Sequence, residues 1–276
     1  MFVAPALAPS IGSLVLAVTS WPGIFVLLAV YAALLAVLLR FALFRRLPPG
    51  ERSRTPLHTL ATNYLTVFRS GATMRFVAIQ GLAFSVMLVF ITHASFIYQE
   101  WFGLSNTAFS LLFGANIAGM ACINLLNRRL LVTHHSTVVL RAAVAVQALA
   151  VATLAVLGLG DPPVWAVAGS IIVAVACMGA IAPNNIANAL EFFPTLGGTA
   201  AAVLGATQFA FAGSVSALST MLVDGTLAPV VLTMAACSIG ALGFALGAPR
   251  AMRRALAAER AAAEVRAAGV DRGVAP

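Results

Sequence analysis

The chain has 276 residues, 61% hydrophobic and 9% charged, with a mean hydropathy of +1.00 and a formal net charge of +8. A soluble domain carries about 25% charged residues because water-facing surface needs polar cover, so this composition excludes an ordinary soluble fold and makes lipid the main solvent. All 16 Lys+Arg residues are arginine, and they lie between apolar runs rather than in a stripe on a soluble face, which excludes a nucleic-acid interface.

A helix that spans the hydrocarbon core needs ~20 apolar residues. Eight runs meet or approach that length: 3–18, 22–44, 76–98, 107–126, 137–159, 164–186, 199–223 and 227–248. The first is the shortest, carries Pro5 and Pro9, and lacks the preceding basic residue of a secretory leader. After the second run, segment 45–75 holds Pro48, Pro49, Gly50 and Pro56, then a stretch, 57–69, expected to lie as a short helix on the membrane surface. The later connections are short, which favours a compact helical bundle. Beyond Pro249 the tail is rich in alanine, helical in propensity and basic. The expected fold is thus all-α and integral to the membrane. Residues 1–44 form a pair of helices, 45–75 a basic linker, 76–248 a six-helix bundle and 249–276 a basic tail.

Orientation follows from the arginines. Arg45, Arg46, Arg52, Arg54, Arg69 and Arg75 fall in 45–75, Arg128, Arg129 and Arg141 near the loop 127–141, and the rest in the tail, apart from Arg40 one turn inside its helix end. If the eight runs alternate, every arginine lies on one side, while Glu100, Asp161 and Asp224 lie on the other. Both termini are therefore expected in the cytoplasm. Loop 187–198 has no arginine and contains Glu191, an exception that its neighbours can carry along.

Polar side chains at membrane depth cost free energy unless they face the bundle interior, which makes them the first candidates for function. At ~1.5 Å of rise per residue, Asn116, Gln147 and Gln208 fall near the midplane. His93, Tyr98 and Gln99 fall near the outer end of the third run, and Asn184, Asn185 and Asn188 cluster where the sixth nears the cytoplasm. Each can equally serve only to hydrogen-bond a neighbouring helix. His93 is a candidate either for carrying a proton or for a satisfied interfacial contact. Pro183 interrupts the sixth run and frees a carbonyl that the adjacent asparagines could satisfy. Gly198, Ala202, Ala206, Ala210 and Ser214 recur every four residues, a small-residue stripe expected to let another helix approach.

Cys122, Cys177 and Cys237 each stand alone in an apolar run, so neither a disulfide framework nor a metal site is expected. No zinc-protease, nucleophile-elbow or phosphate-loop motif appears, so the chain is not expected to be an enzyme. Without a nucleotide site, any pumping would draw on an ion gradient or a partner.

Several segments resemble the major facilitator transporters, in the Bcr/CflA branch of drug efflux proteins. Residues 4–13, with Pro5, Ala8, Pro9 and Gly12, resemble the antiporter motif of the family's fifth helix, with Ser13 in place of the second glycine. Trp21 and Phe25 are similar to the start of the sixth helix, with Pro22 where arginine is usual. Residues 96–105 resemble the end of the seventh helix and Phe113-Gly114-Ala115-Asn116-Ile117 part of the eighth. The stretch from Pro183-Asn184-Asn185 to Gln208 resembles the exit of the tenth and the eleventh.

The resemblance implies helices five to twelve of twelve, and hence that helices one to four are missing from the sequence. It implies proton-coupled efflux of small amphipathic drugs from the cytoplasmic (inner) membrane, with no cofactor beyond the proton gradient. Asn116, Gln208, Tyr98 and His93 would then line the substrate path, Pro183, Asn184 and Asn185 a helix break, and Pro5, Ala8, Pro9 and Gly12 a proton-tight packing surface. Gln147 would be peripheral. The expected partners are the lipid bilayer, the substrate and a chain supplying the missing helices. The alternative is a non-transporting fragment or subunit that needs those helices from elsewhere.

Overall fold

The computed structural model describes residues 15, 18–44 and 56–247. The first expected span, with Pro5, Ala8, Pro9 and Gly12, lies outside the described residues except at positions 15 and 18, and the tail from 248 lies outside them too. Every described element is helical: α1 (Pro22–Leu39), α2 (Leu57–Arg69), α3 (Gly71–Ser95), α4 (Asn106–Leu130), α5 (Ser136–Leu157), α6 (Val164–Ala176), α7 (Met178–Leu190), α8 (Gly197–Leu222) and α9 (Ala228–Leu246). Counting α6 and α7 as one span, seven described helices are long and apolar enough to cross a membrane, matching the second to eighth expected spans. The fold is an all-helical, multi-pass membrane architecture.

The chain divides into two compact units, Met1–Ala61 and Thr62–Pro276. In the first, α1 is apolar around its whole circumference and buries none of its side chains, the pattern of a helix that meets lipid or other helices on every side. Pro22 opens it at a position where the missing N–H costs nothing, and the rings of Trp21 and Phe25 meet edge to face at 5.9 Å. A π-helical turn, Arg40–Phe44, prolongs it. Helix α2 covers the 57–69 stretch expected to be helical.

In the second unit α3 is the hub, packed against both α8 and α9. It begins five residues before the expected span because Ser70 caps it, its Oγ accepting from the Thr73 N–H at 3.4 Å. Arg75 is therefore helical rather than part of a linker. At its other end α3 runs on as a π-helical segment, Phe96–Trp101, that closes at Gly103 with φ +64°. Its side chains feed two apolar clusters, one around Val86, Phe90, Leu154, Ile171 and Met234, the other around Phe76, Ile79, Val144, Ile181 and Leu204. Between lipid-embedded helices such packing acts through van der Waals contact and hydrogen bonds rather than expulsion of water.

Two expectations are corrected. Helix α4 runs to Leu130, so Asn127, Arg128 and Arg129 are helical rather than loop residues. The sixth span breaks at Cys177, between α6 and α7, and continues as helix through Pro183. A proline ring crowds the carbonyl four residues back, so the chain yields upstream of Pro183.

Candidate functional site

The polar residues singled out by depth fall on two seams between helices and one aromatic box. Along the α3–α8 seam, Gln80 Nε2 donates to Gln208 Oε1 at 2.7 Å, near the middle of α8. Further along, the hydroxyls of Thr92 and Ser216 meet at 2.6 Å, and His93 Nε2 lies 2.9 Å from Ser219 Oγ. Ser219 spends its own proton on the Ser216 carbonyl at 2.7 Å, so it accepts from His93, and His93 carries its proton on Nε2. The three pairs ascend both helices together, so α3 and α8 run parallel, as spans separated by three crossings must.

The α4–α7 seam is built differently. Gly179 sits against α4 so closely that a Cβ there would lie 2.2 Å from the Met120 carbonyl oxygen. Pro183 has no N–H for the Gly179 carbonyl. That carbonyl instead accepts from Asn124 Nδ2 of α4 at 2.9 Å. The adjacent asparagines were expected to fill this role, but they point elsewhere. Asn184 Nδ2 donates to the Ala180 carbonyl at 2.8 Å and to Asn127 Oδ1 at 2.6 Å, Asn185 Nδ2 to the Phe76 carbonyl of α3 at 2.9 Å, and Asn188 Oδ1 accepts from Ser136 of α5 at 2.6 Å. The cluster thus ties α7 to three different helices. Asn185 Oδ1 and Asn188 Nδ2 remain buried without partners.

Tyr98 and Asn116 form the third group. Both are buried, and the Tyr98 ring meets those of Phe90 and Phe109, which in turn meet Phe113. Asn116 Nδ2 donates to the Leu112 carbonyl at 2.8 Å. The Tyr98 hydroxyl is within reach of the Asn116 side chain, yet neither it nor Asn116 Oδ1 completes a hydrogen bond. A buried polar pair with spare capacity can take a water or a ligand polar atom. Gln147 is buried too and donates to the Ala174 carbonyl at 3.1 Å, which joins α5 to α6.

The structure therefore does not gather Asn116, Gln208, Tyr98 and His93 into one pocket. It sets Tyr98 and Asn116 where α3 passes α4, and His93 and Gln208 on the α3–α8 seam. The small-residue stripe lies on a face of α8 that no described helix covers. Gly198, Ala202, Ala206, Ala210 and Ser214 are exposed, while α8 packs inward through Ala200, Val203, Leu204, Ala212, Ser216 and Ser219. Ala210 and Ser214 line an apolar cleft of about 1020 Å³ shared with α3 and α9, and a second cleft of about 750 Å³ opens between α8 and α9.

Sequence reasoning missed Gln80, Asn124 and Asn127. Gln80 lies only four residues inside the expected span, too shallow for the midplane rule that singled out Gln208, and the earlier start of α3 at Gly71 places it deeper. Asn127 was hidden by a helix end placed too early. Among the described residues, no group of three or more His, Cys, Asp or Glu could hold a metal ion.

Against known proteins, the family model described as Major Facilitator Superfamily matches residues 1–220. The chain is 27% identical over 237 residues to the bicyclomycin resistance protein homolog of Haemophilus influenzae, covering 86% of this chain and 60% of that protein. It is 27% identical over 221 residues to the uncharacterized MFS-type transporter YdgK of Bacillus subtilis, covering 78% of this chain and 54% of that protein. It spans little more than half the length of these curated relatives.

Proposed function

Because the chain belongs to the major facilitator superfamily, we propose that it takes part in proton-coupled export of small amphipathic compounds across the cytoplasmic membrane, with both termini inside the cell. The family resemblance read from the motifs is borne out by the family match, and a drug-resistance homologue is among the relatives. The observation that carries the transport reading is the Gln80–Gln208 pair, two amides that face each other across parallel helices. A substrate with one polar group can replace either half of that bond, and the spare capacity of Tyr98 and Asn116 offers a second anchor. The proton gradient supplies the driving force in this reading, and Pro5, Ala8, Pro9 and Gly12 would contribute to a proton-tight helix surface.

The test is drug susceptibility. Cells that express the chain should tolerate more bicyclomycin or amphipathic dye than cells with empty vector, and an uncoupler should abolish the difference. Gln208→Leu and Asn116→Leu should each lower tolerance without lowering the amount of protein in the membrane. Unchanged tolerance in both variants would remove the assigned residues.

A second reading is a membrane subunit that transports only with helices from another chain, and the length comparison favours it. In that case co-expression with the unmatched part of the Haemophilus influenzae relative should confer tolerance that neither piece confers alone.

A further inference from the structure

Helices α8 and α9 both pack on α3 but leave the cleft of about 750 Å³ open between themselves. Its walls are mostly apolar, with Leu218, Leu222 and Leu232 exposed along them, and Cys237 is a buried thiol in the lining. Three other polar side chains interrupt that surface: Asp224 in the exposed turn at one end, and Ser219 and Thr233 inside. Thr233 follows Ala228 by five residues of α9, ~7.5 Å of rise, which sets it well below the end that carries the carboxylate.

The hydroxyl protons in this cleft are already spent. Ser219 donates to the Ser216 carbonyl at 2.7 Å and accepts from His93, and Thr233 donates to the Pro229 carbonyl at 2.8 Å. Asp224 Oδ1 takes both Thr226 bonds, while the other carboxylate oxygen meets no other described residue and no ion pair forms. The arginines at the start of α3 and α5 and at the end of α4 lie at the other end of the bundle, since α3 runs parallel to α8 and the spans alternate. What these three side chains present is therefore acceptor lone pairs and one negative charge. An anion is repelled by that lining, and a neutral apolar molecule leaves the acceptors without donors. A cation that carries N–H donors on an apolar body satisfies both the charge and the walls.

We propose that the α8–α9 cleft binds a protonated organic amine, with its ammonium group at Asp224, a second N–H or O–H donor ~7 Å away at Thr233, and its apolar body along Leu218, Leu222 and Leu232. The site stands apart from the Gln80–Gln208 pair and does not rest on the transport reading.

Tryptamine is the probe, because it joins a primary ammonium group to an apolar ring system with an N–H on its far edge. The purified full chain in mild detergent is dialysed to equilibrium against labelled tryptamine, with empty micelles as the blank. In parallel, alkylation of Cys237 by N-ethylmaleimide is followed by peptide mass spectrometry. Binding should be saturable and should slow alkylation at Cys237 but not at Cys177, which lines a different cleft. Asp224→Asn, which keeps an acceptor for Thr226, should weaken binding about fivefold, the upper end of what an exposed ion pair contributes. Thr233→Val should weaken it about threefold and erase the preference for tryptamine over 1-methyltryptamine, which lacks the ring N–H. Unchanged melting temperatures show that both variants are folded.

The absence of saturable binding, or binding indifferent to Asp224→Asn, overturns the proposal. Indole-3-propionate that binds as tightly as tryptamine would show a merely apolar cleft with no choice of charge. Methylamine that protects Cys237 as well as tryptamine does would show a carboxylate that takes any small cation without help from the walls. Equal protection of Cys177 and Cys237 would place the effect outside this cleft. Each of these results also overturns it.

Discussion

The two seams hold parallel helices together by opposite means. Where α4 meets α7, backbone approaches backbone: a Cβ on Gly179 would lie 2.2 Å from the Met120 carbonyl oxygen and 3.0 Å from the Asn124 nitrogen. Where α3 meets α8, side chains bridge the gap through the Gln80–Gln208, Thr92–Ser216 and His93–Ser219 pairs. A backbone seam has one geometry, because shifting it by an ångström makes a clash. A seam of amides and hydroxyls can lose a bond to water or to a ligand and reform it while the backbones stay apart. The contrast marks α4–α7 as scaffold and α3–α8 as the surface suited to exchange.

The strongest attack on this contrast is at Gly179. Gly179→Ala puts a methyl group into the Met120 carbonyl. Overpacking of this kind costs about 1–3 kcal/mol or more, because here the obstacle is backbone and cannot rotate away. Gly205→Ala on α8, where a Cβ would meet nothing within 4 Å, should leave the melting temperature unchanged or raise it. Thermal unfolding in detergent, followed by size exclusion, compares them. Equal behaviour of the two variants would dissolve the distinction between scaffold and exchange surface.

Next in size is the bond that replaces the one Pro183 removes. Asn124→Leu should cost about 1–3 kcal/mol by stranding the Gly179 carbonyl. In a Pro183→Ala background the same substitution should cost much less, since residue 183 then offers its own N–H to that carbonyl. A double-mutant cycle reads the difference directly. Additive losses would show that Asn124 serves some other purpose.

Much of this architecture was legible in the sequence, and the parts that were not share a cause. Span positions follow from composition over ~20 residues, a signal that no single contact can overturn, and seven described helices fall where hydropathy put them. Depth likewise flagged Asn116, Gln208 and His93, each of which proves to be held inside the helical packing or on a helix seam. What depth cannot give is azimuth relative to neighbours. Ala202 and Ala206 form a regular stripe, yet they point outward because Leu204 and Ser216, on the other face, meet α3. The partner of Gly179 is also invisible in sequence, because Asn124 lies 55 positions away and the proline four residues on gives the need but not the donor. The π-helical turn around Tyr98 carries no pattern at all.

The exchange surface itself should respond mildly. Interhelical hydrogen bonds in a membrane protein average about 0.6 kcal/mol by double-mutant cycles, because an unfolded chain in lipid also finds partners. Gln80→Leu and Gln208→Leu should therefore couple by about that amount, well below the Asn124–Pro183 coupling. A Gln80–Gln208 coupling of several kcal/mol would make this seam a scaffold like the other.

The smallest effect lies at the end of α8, in the turn that joins it to α9. Asp224 Oδ1 accepts from the Thr226 N–H at 3.0 Å and from its hydroxyl at 2.6 Å, and Gly225 takes φ +84° to allow it. The two Thr226 bonds hold the Asp224 carboxyl below its ordinary value. A carboxyl with a lowered folded pKa contributes stability above its unfolded value of ~3.9, and loses it as pH falls through the folded value. The group is fully exposed, so the effect belongs to the turn and leaves the bundle intact. Asp224→Asn keeps an oxygen acceptor for Thr226 but removes the titration. Hydrogen exchange over 222–228, corrected for intrinsic rates, should quicken in the wild type as pH drops below about 4 and stay flat in Asp224→Asn. The α4–α7 seam should show no such change over the same range, since Gly179, Asn124 and Pro183 have nothing to titrate. A parallel rise at both places would mean that the turn and the scaffold open together, and the two seams would then be one cooperative unit.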